Sequence, residues 1–170
     1  MELRGFFATV FAFLFTVEVY SHSRTFYYAG FGLTNSDRYM IITDKCENKN
    51  SQRECSAMAN GDTGSKLNTH FTLERNTSRP NKLRWLRCIS FNNTYSLMVQ
   101  GNNVSFVNVS CEKENKNVWF KFKRLPGGHH GFFIRGSTMC LTRSWDGNLS
   151  VVNVNSTNDR KCHFKQEIVR

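Results

Sequence analysis

Residues 131–170, GFFIRGSTMCLTRSWDGNLSVVNVNSTNDRKCHFKQEIVR, hold four short apolar runs at 132–134, 139–142, 149–154 and 162–169. Each is too short for a helix and rich in aromatic or β-branched residues, so each reads as a strand. Between the second and third stands Trp145-Asp146-Gly147-Asn148. Asp-Gly between two apolar runs predicts a tight hairpin, because such turns need positive φ.

The same arrangement recurs twice upstream. The closing runs align as Thr69-His70-Phe71, Val118-Trp119-Phe120 and Cys162-His163-Phe164, which places the shared phenylalanines 49 and 44 residues apart. Ahead of each lies a predicted strand pair, at 39–43 with 56–59, 95–100 with 104–109, and 139–142 with 149–154. The opening strands are predicted at 25–30, 84–90 and 131–135. Proline occurs only at Pro80 and Pro126, both between units, and helical periodicity never persists for three turns. The reading is an all-β chain of twelve strands in three units, at about 25–75, 83–124 and 131–170. A lone hairpin is marginal in water, so the units must share one core.

The N-terminus carries Arg4 followed by an apolar run over 6–17, the pattern of a signal peptide ending near Ser21 and short for a membrane span. Residues 1–21 are therefore expected to be removed, and residues 22–170 to form a single extracellular domain without a membrane anchor. The whole chain has a net charge of +10; without residues 1–21 it loses Glu2, Arg4 and Glu18 and reaches +11. Such a charge favours polyanionic partners and steers association more than it shapes a fold. An even set of six cysteines, all beyond the leader, predicts disulfides in an oxidising compartment. Cys88 to Cys111 and Cys140 to Cys162 each span one repeat, and Cys46 and Cys55 are local to the first hairpin, so three bridges within units are expected. The spacings do not suit a zinc site, and no metal or cofactor is expected. Six Asn-x-Ser/Thr sequons, at Asn76, Asn92, Asn103, Asn108, Asn148 and Asn155, predict N-glycosylation.

The three four-strand units resemble the β-trefoil, in which the first and fourth strands of each unit close a six-stranded barrel and the middle two form a hairpin cap. Phe133-x-x-Gly136 to Cys140-Leu141-Thr142, with Asp146-Gly147 following, is similar to a ricin-type lectin repeat. So is the stretch from Cys111 to Trp119, where Asn117-Val118-Trp119 stands in the place of that family's Gln-x-Trp; His70 and His163 fill the corresponding places of the other units. Size, basicity and aromatic closing strands also resemble fibroblast growth factors and interleukin-1-like cytokines.

Catalytic signatures are lacking: the chain has no Gly-x-Ser-x-Gly, His-Glu-x-x-His or phosphate loop. His70 and His163 occupy repeated positions and read as structural; His129-His130 reads as a turn after Pro126-Gly127-Gly128. The basic residues are more informative. Arg75, Arg79, Lys82, Arg84 and Arg87 fall in a window with no acidic residue after Glu74, and Lys121, Lys123 and Arg124 close the second unit. In Phe120-Lys121-Phe122-Lys123 strand alternation sends the phenylalanines to one face and the lysines to the other. Trp85 and Trp119 read as core, whereas Trp145 in the hairpin turn is a candidate contact residue. The expected function is non-catalytic binding of a cell-surface receptor or a sulfated glycan, in the manner of a cytokine or growth factor, with no nucleic-acid partner. The alternatives are a lectin for neutral sugars and a secreted inhibitor or toxin that presents a loop to a protein target.

Overall fold

A computed structural model describes residues 22–30, 38–61, 67–75, 86–111 and 115–169. The predicted leader, with Asn76, Arg79, Lys82, Arg84 and Trp85, lies outside the described residues. The described residues form twelve antiparallel strands and no α-helix: β1 (Ser23–Tyr28), β2 (Tyr39–Lys49), β3 (Gln52–Gly61), β4 (Phe71–Arg75), β5 (Leu86–Phe91), β6 (Tyr95–Gln100), β7 (Asn103–Val107), β8 (Phe120–Arg124), β9 (His130–Ile134), β10 (Met139–Arg143), β11 (Leu149–Asn153) and β12 (Phe164–Ile168).

The ladders of six strands run in a circuit, β1 to β4, β5, β8, β9, β12 and back to β1. Within each third, the other two strands form a hairpin, β2–β3, β6–β7 or β10–β11. The hairpins join one another through β3–β7, β7–β11 and a bridge from Met58 to Asn148. Inside the circuit, Phe26, Phe71, Ile89, Phe120, Phe132 and Phe164 are almost wholly buried, one from each strand. Their rings interlock: Phe132 lies edge-on to Phe26 at 5.3 Å, Phe164 at 5.7 Å and Phe120 at 6.2 Å. Phe71 stacks on Phe106 of β7 at 5.2 Å and ties the hairpins into the same core.

Two local findings differ from the sequence expectation. The closing strands begin two residues later than their apolar runs, because each is preceded by a 3-10 turn, Leu67–Thr69, Lys116–Val118 or Arg160–Cys162. Thr69, Val118 and Cys162 are fully buried in those turns, so an apolar position there reports packing rather than extended backbone. The second difference is the first hairpin, which runs far beyond residue 43 through a polar stretch. No hydrophobic alternation marks it, but Cys46 faces Cys55 across the ladder and Asn50 and Ser51 close the end at φ 48° and 65°.

The disulfides are Cys46–Cys55, Cys88–Cys111 and Cys140–Cys162, the pairing within units that the spacings predict. The last two anchor small apolar clusters outside the circuit. One gathers Leu86, Met98, Val107, Val118 and Trp119 around Cys88, and the other Leu125, Phe133 and Val154 around Cys140 and Cys162.

Candidate functional site

The basic residues come from the strand ends farthest from the hairpins. β4 ends on Glu74-Arg75 and β5 begins on Leu86-Arg87, and their register sets Arg75 opposite Arg87. On the other side of β5, Leu86 faces Lys121 and Arg87 faces Phe120. Arg124 is paired with His130 and Lys123 with Gly131. The structure therefore brings Arg75 and Arg87 together on the face that Phe120 shares, sets Lys121 with Leu86 on the opposite face of the same strands, and places Lys123 and Arg124 on the outgoing end of β8. Arg79, Lys82 and Arg84 belong to the segment outside the described residues.

These side chains have unequal environments. Lys121 and Arg124 are exposed, whereas Lys123 is half-buried with its ammonium 5.0 Å from the centre of the Phe133 ring. Burial, and then the charge of Lys121, lower the proton affinity of Lys123. Arg87 is also half-buried; burial first, then Arg75 and Arg24, depress its pKa below the usual guanidinium range. Like charges brought this close oppose folding unless an anion meets them. Arg87 Nη1 also donates to the Leu86 carbonyl at 3.0 Å, and away from this ladder Lys49 pairs with Glu47 at 3.6 Å and with Glu54 at 3.7 Å.

Trp145 stands apart, 94% exposed at the tip of the β10–β11 turn. The turn beneath it is densely hydrogen-bonded. Asp146 accepts hydrogen bonds from the Ser144 hydroxyl, from the Asn148 backbone at 3.2 Å and from Asn148 Nδ2 at 2.6 Å, and these hold its carboxyl below the usual carboxylate range, the Ser144 bond most strongly. Gly147, at φ 89°, accepts from the Ala59 amide at 2.8 Å, while Arg143 Nε donates to the Ala59 carbonyl at 2.8 Å. An indole held on so fixed a base gives up little freedom on binding.

The histidines divide in a way that the sequence does not show. His163, at the end of its 3-10 turn, is buried; its Nδ1 shares a 3.0 Å hydrogen bond with Nδ1 of His129, and its Nε2 lies 3.3 Å from the Asn158 carbonyl. His70 is half-buried in the equivalent place. His130, read from sequence as a turn residue, is the first residue of β9, and its ring lies flat on Phe122 at 4.8 Å. Trp119 is buried at the end of a 3-10 turn rather than within a strand. Asn92, Asn103, Asn108, Asn148 and Asn155 are all exposed, as glycan acceptors must be; Asn76 is outside the described residues.

Concavities among the described residues include two of similar size. One of about 320 Å³ lies among the hairpins and is bordered by Lys45, Glu47, Lys49, Glu54, Asn103 and Asn148, two of them sequon residues. The other, about 310 Å³, is formed by Val99, Trp119, Phe120, Ile134, Arg135 and Gly136. Neither includes the basic ladder or Trp145. Among the described residues no group of three or more His, Cys, Asp or Glu is placed to hold a metal ion, and no helix is long and apolar enough to cross a membrane.

No family model and no curated protein matches the chain. Among solved structures it is similar to the GlcNAcα1-4Gal-releasing endo-β-galactosidase from Clostridium perfringens, with a TM-score of 0.62 and 16% identity. The likeness covers 88% of this chain but 33% of the enzyme, so this chain corresponds to about a third of that protein's length. At that identity the likeness concerns the fold alone, and folds of this kind host many functions.

Proposed function

We propose that the chain is a β-trefoil that acts outside the cell as a non-catalytic binding domain, with a sulfated glycan or a cell-surface receptor as its partner. The circuit of six ladders, the three hairpins and the three matching 3-10 turns support the trefoil reading. Three disulfides and five exposed sequons are consistent with an extracellular destination. The observation that carries the polyanion reading is the cross-strand pairing of Arg75 with Arg87 on one face of the strands, with Lys121 and Lys123 on the other face of the adjoining β8 and Arg124 at its end. A chain selected for stability alone gains nothing from stacking like charges on one ladder.

Heparin chromatography tests this. The folded protein is expected to be retained and to elute steeply with salt, because screening over about 8 Å at physiological ionic strength weakens each contact. Replacing Lys121, Lys123 and Arg124 together with Ser should move elution to lower salt. Unchanged elution of a folded triple variant would remove these residues from the site.

A second reading rests on Trp145: a sugar ring stacked on the exposed indole makes the turn a lectin site for a neutral glycan. A glycan array at two salt concentrations separates the readings. Binding insensitive to salt and lost in Trp145→Ala supports the lectin; binding abolished by salt supports the sulfated glycan; silence favours a protein partner, including the target of an inhibitor or toxin.

A further inference from the structure

The opening strands of the three units carry equivalent buried residues, Phe26, Ile89 and Phe132, all at 0% exposure. Side chains alternate along a strand, so the residues two places earlier point to the same side of the circuit, one tier closer to the end away from the hairpins. Those residues are Arg24, Arg87 and His130. The same count from Phe71, Phe120 and Phe164, in the opposite chain direction, puts Leu73, Phe122 and Gln166 in that tier. Three basic groups related by the repeat thus alternate around the opening with two apolar side chains and one amide. Glu74 and Glu167, the nearest acidic residues in sequence, fall on the alternate face of β4 and β12.

Two polar atoms in this tier, His130 Nδ1 and Gln166 Oε1, are buried without a hydrogen-bond partner. Native interiors rarely leave such atoms unmatched, and an unmatched one calls for a bound group. The His130 ring is fixed flat against Phe122 at an interplanar angle of 8°, so its Nδ1 direction is set before any ligand arrives. Arg24, Arg87 and His130 are each half-buried, which leaves them within reach of a solute. Arg24 is close enough to both of the others to lower their proton affinities, after burial in each case and after Arg75 at Arg87, or Arg124 and His129 at His130.

We propose that this opening binds one tetrahedral oxyanion, a sulfate or phosphate group, through the Arg24 and Arg87 guanidinium groups and Nδ1 of His130. With Arg24 near both of the others, three donors would match three oxygens of such a group and leave the fourth to point outward, as the bridging oxygen of an ester would. Guanidinium groups suit this role because their planar fork donates paired hydrogen bonds. Gln166 contributes an N–H when its amide is turned, since its oxygen and nitrogen exchange places by a half rotation. The site rests on the polyanion reading only for the source of the anion; Lys121, Lys123 and Trp145 take no part in it.

The charged groups that act on His130 are Arg124 from β8, the adjacent His129 and Arg24 from β1, all basic. An anion reverses their effect and raises the proton affinity of His130. Sulfate itself does not titrate near neutrality, so its affinity should rise as pH falls from about 8 to about 5.5 in the manner of one histidine.

The test is a titration of the ¹⁵N-labelled, disulfide-bonded chain with sodium sulfate, then with sodium phosphate, against chloride at constant ionic strength, following the His130 imidazole resonances. A saturable shift with sulfate or phosphate and none with chloride is expected, the stronger of the two naming the source. Arg24→Gln should weaken it about tenfold or more. His130→Asn, followed by calorimetry, should abolish the pH dependence. Arg87→Gln is not relied on, because Arg87 also donates from Nη1 to the Leu86 carbonyl at 3.0 Å and its loss would remove that bond as well. Absence of a saturable shift, or wild-type affinity in Arg24→Gln, overturns the site. If heparin retention persists in that case, the polyanion reading stands alone. Sulfate binding by a protein that heparin does not retain keeps the site and removes the polyanion reading.

Discussion

The two ends of the six-strand circuit have the same backbone and opposite chemistry. Two places beyond the buried middle tier, on the side of the hairpins, the opening strands place Tyr28, Phe91 and Ile134, and Tyr28 shares a 3.3 Å hydrogen bond with Thr142 of β10. Two places before it they place Arg24, Arg87 and His130. The hairpins cover the first end, where an unpaired charge would lose its hydration without compensation. The second end has no hairpin over it among the described residues, so charge is tolerated there. Three basic side chains together are nevertheless more than solubility asks for. The contrast teaches that a repeated position is apolar because of what covers it, and that a departure from apolarity at all three copies is information about a ligand rather than about the fold.

The largest expected effect lies in the tier that both ends share. Truncating Phe132 or Phe164 to Ala should cost about 3 to 5 kcal/mol, measured by chemical denaturation, because each ring is fully buried among other rings. A cost below about 1 kcal/mol would mean that the circuit is not packed as described. Next come the bridges. Removing Cys140–Cys162, with a separation of 22 residues, should cost about 3 kcal/mol by loop entropy, and more for the polar replacement in its apolar cluster. Removing Cys46–Cys55, with a separation of 9 among polar residues, should cost less. An equal loss in the two variants would contradict the difference in their surroundings.

A smaller effect distinguishes the ends by pH. Burial, and then Arg124, His129 and Arg24, hold the folded-state pKa of His130 below its unfolded value. The unfolded chain therefore binds more protons, and stability should fall as pH drops below about 6.5, levelling off below the folded-state value. His129 shifts in the same direction, from burial and from His163 and Lys165. Thermal melts across this range should show a shallower acid loss in His130→Asn than in the wild type. A steeper one would place the charged form of His130 in the folded state. The smallest change is expected at Trp145→Ala, within about 0.5 kcal/mol in stability, since the indole is almost wholly in solvent.

The all-β class, the number of strands and the three bridges were legible in the sequence because aromatic spacing and cysteine spacing repeat together. Phe71, Phe120 and Phe164 recur in one place and are buried in one place. The polar half of the β2–β3 hairpin was not legible, since its pairing depends on backbone bonds and on one bridge rather than on side-chain alternation. Nor were the 3-10 turns, whose buried Thr69, Val118 and Cys162 imitate the start of a strand. For the candidate site, linear clustering pointed to Arg75, Arg87 and Lys121 but could not find Arg24, which lies far from that cluster in sequence, or His130, which follows Pro126-Gly127-Gly128 and reads as a turn residue. The signal that finds them is the repeat itself, two residues back from Phe26, Ile89 and Phe132.

Every bridge in this chain closes over a short stretch, with separations of 9, 23 and 22 residues, and none links one third to another. If synthesis delivers the chain into an oxidising compartment, as the proposed function requires, each cysteine can meet its partner before the next third has been made. The order of translation then selects among the fifteen pairings that six thiols allow, and the nascent chain has little need of later reshuffling by an isomerase. Exchanging the order of the thirds by circular permutation would leave every bridge intact except one cut by the new termini, which makes this chain a suitable substrate for separating the chemistry of oxidation from the topology of folding.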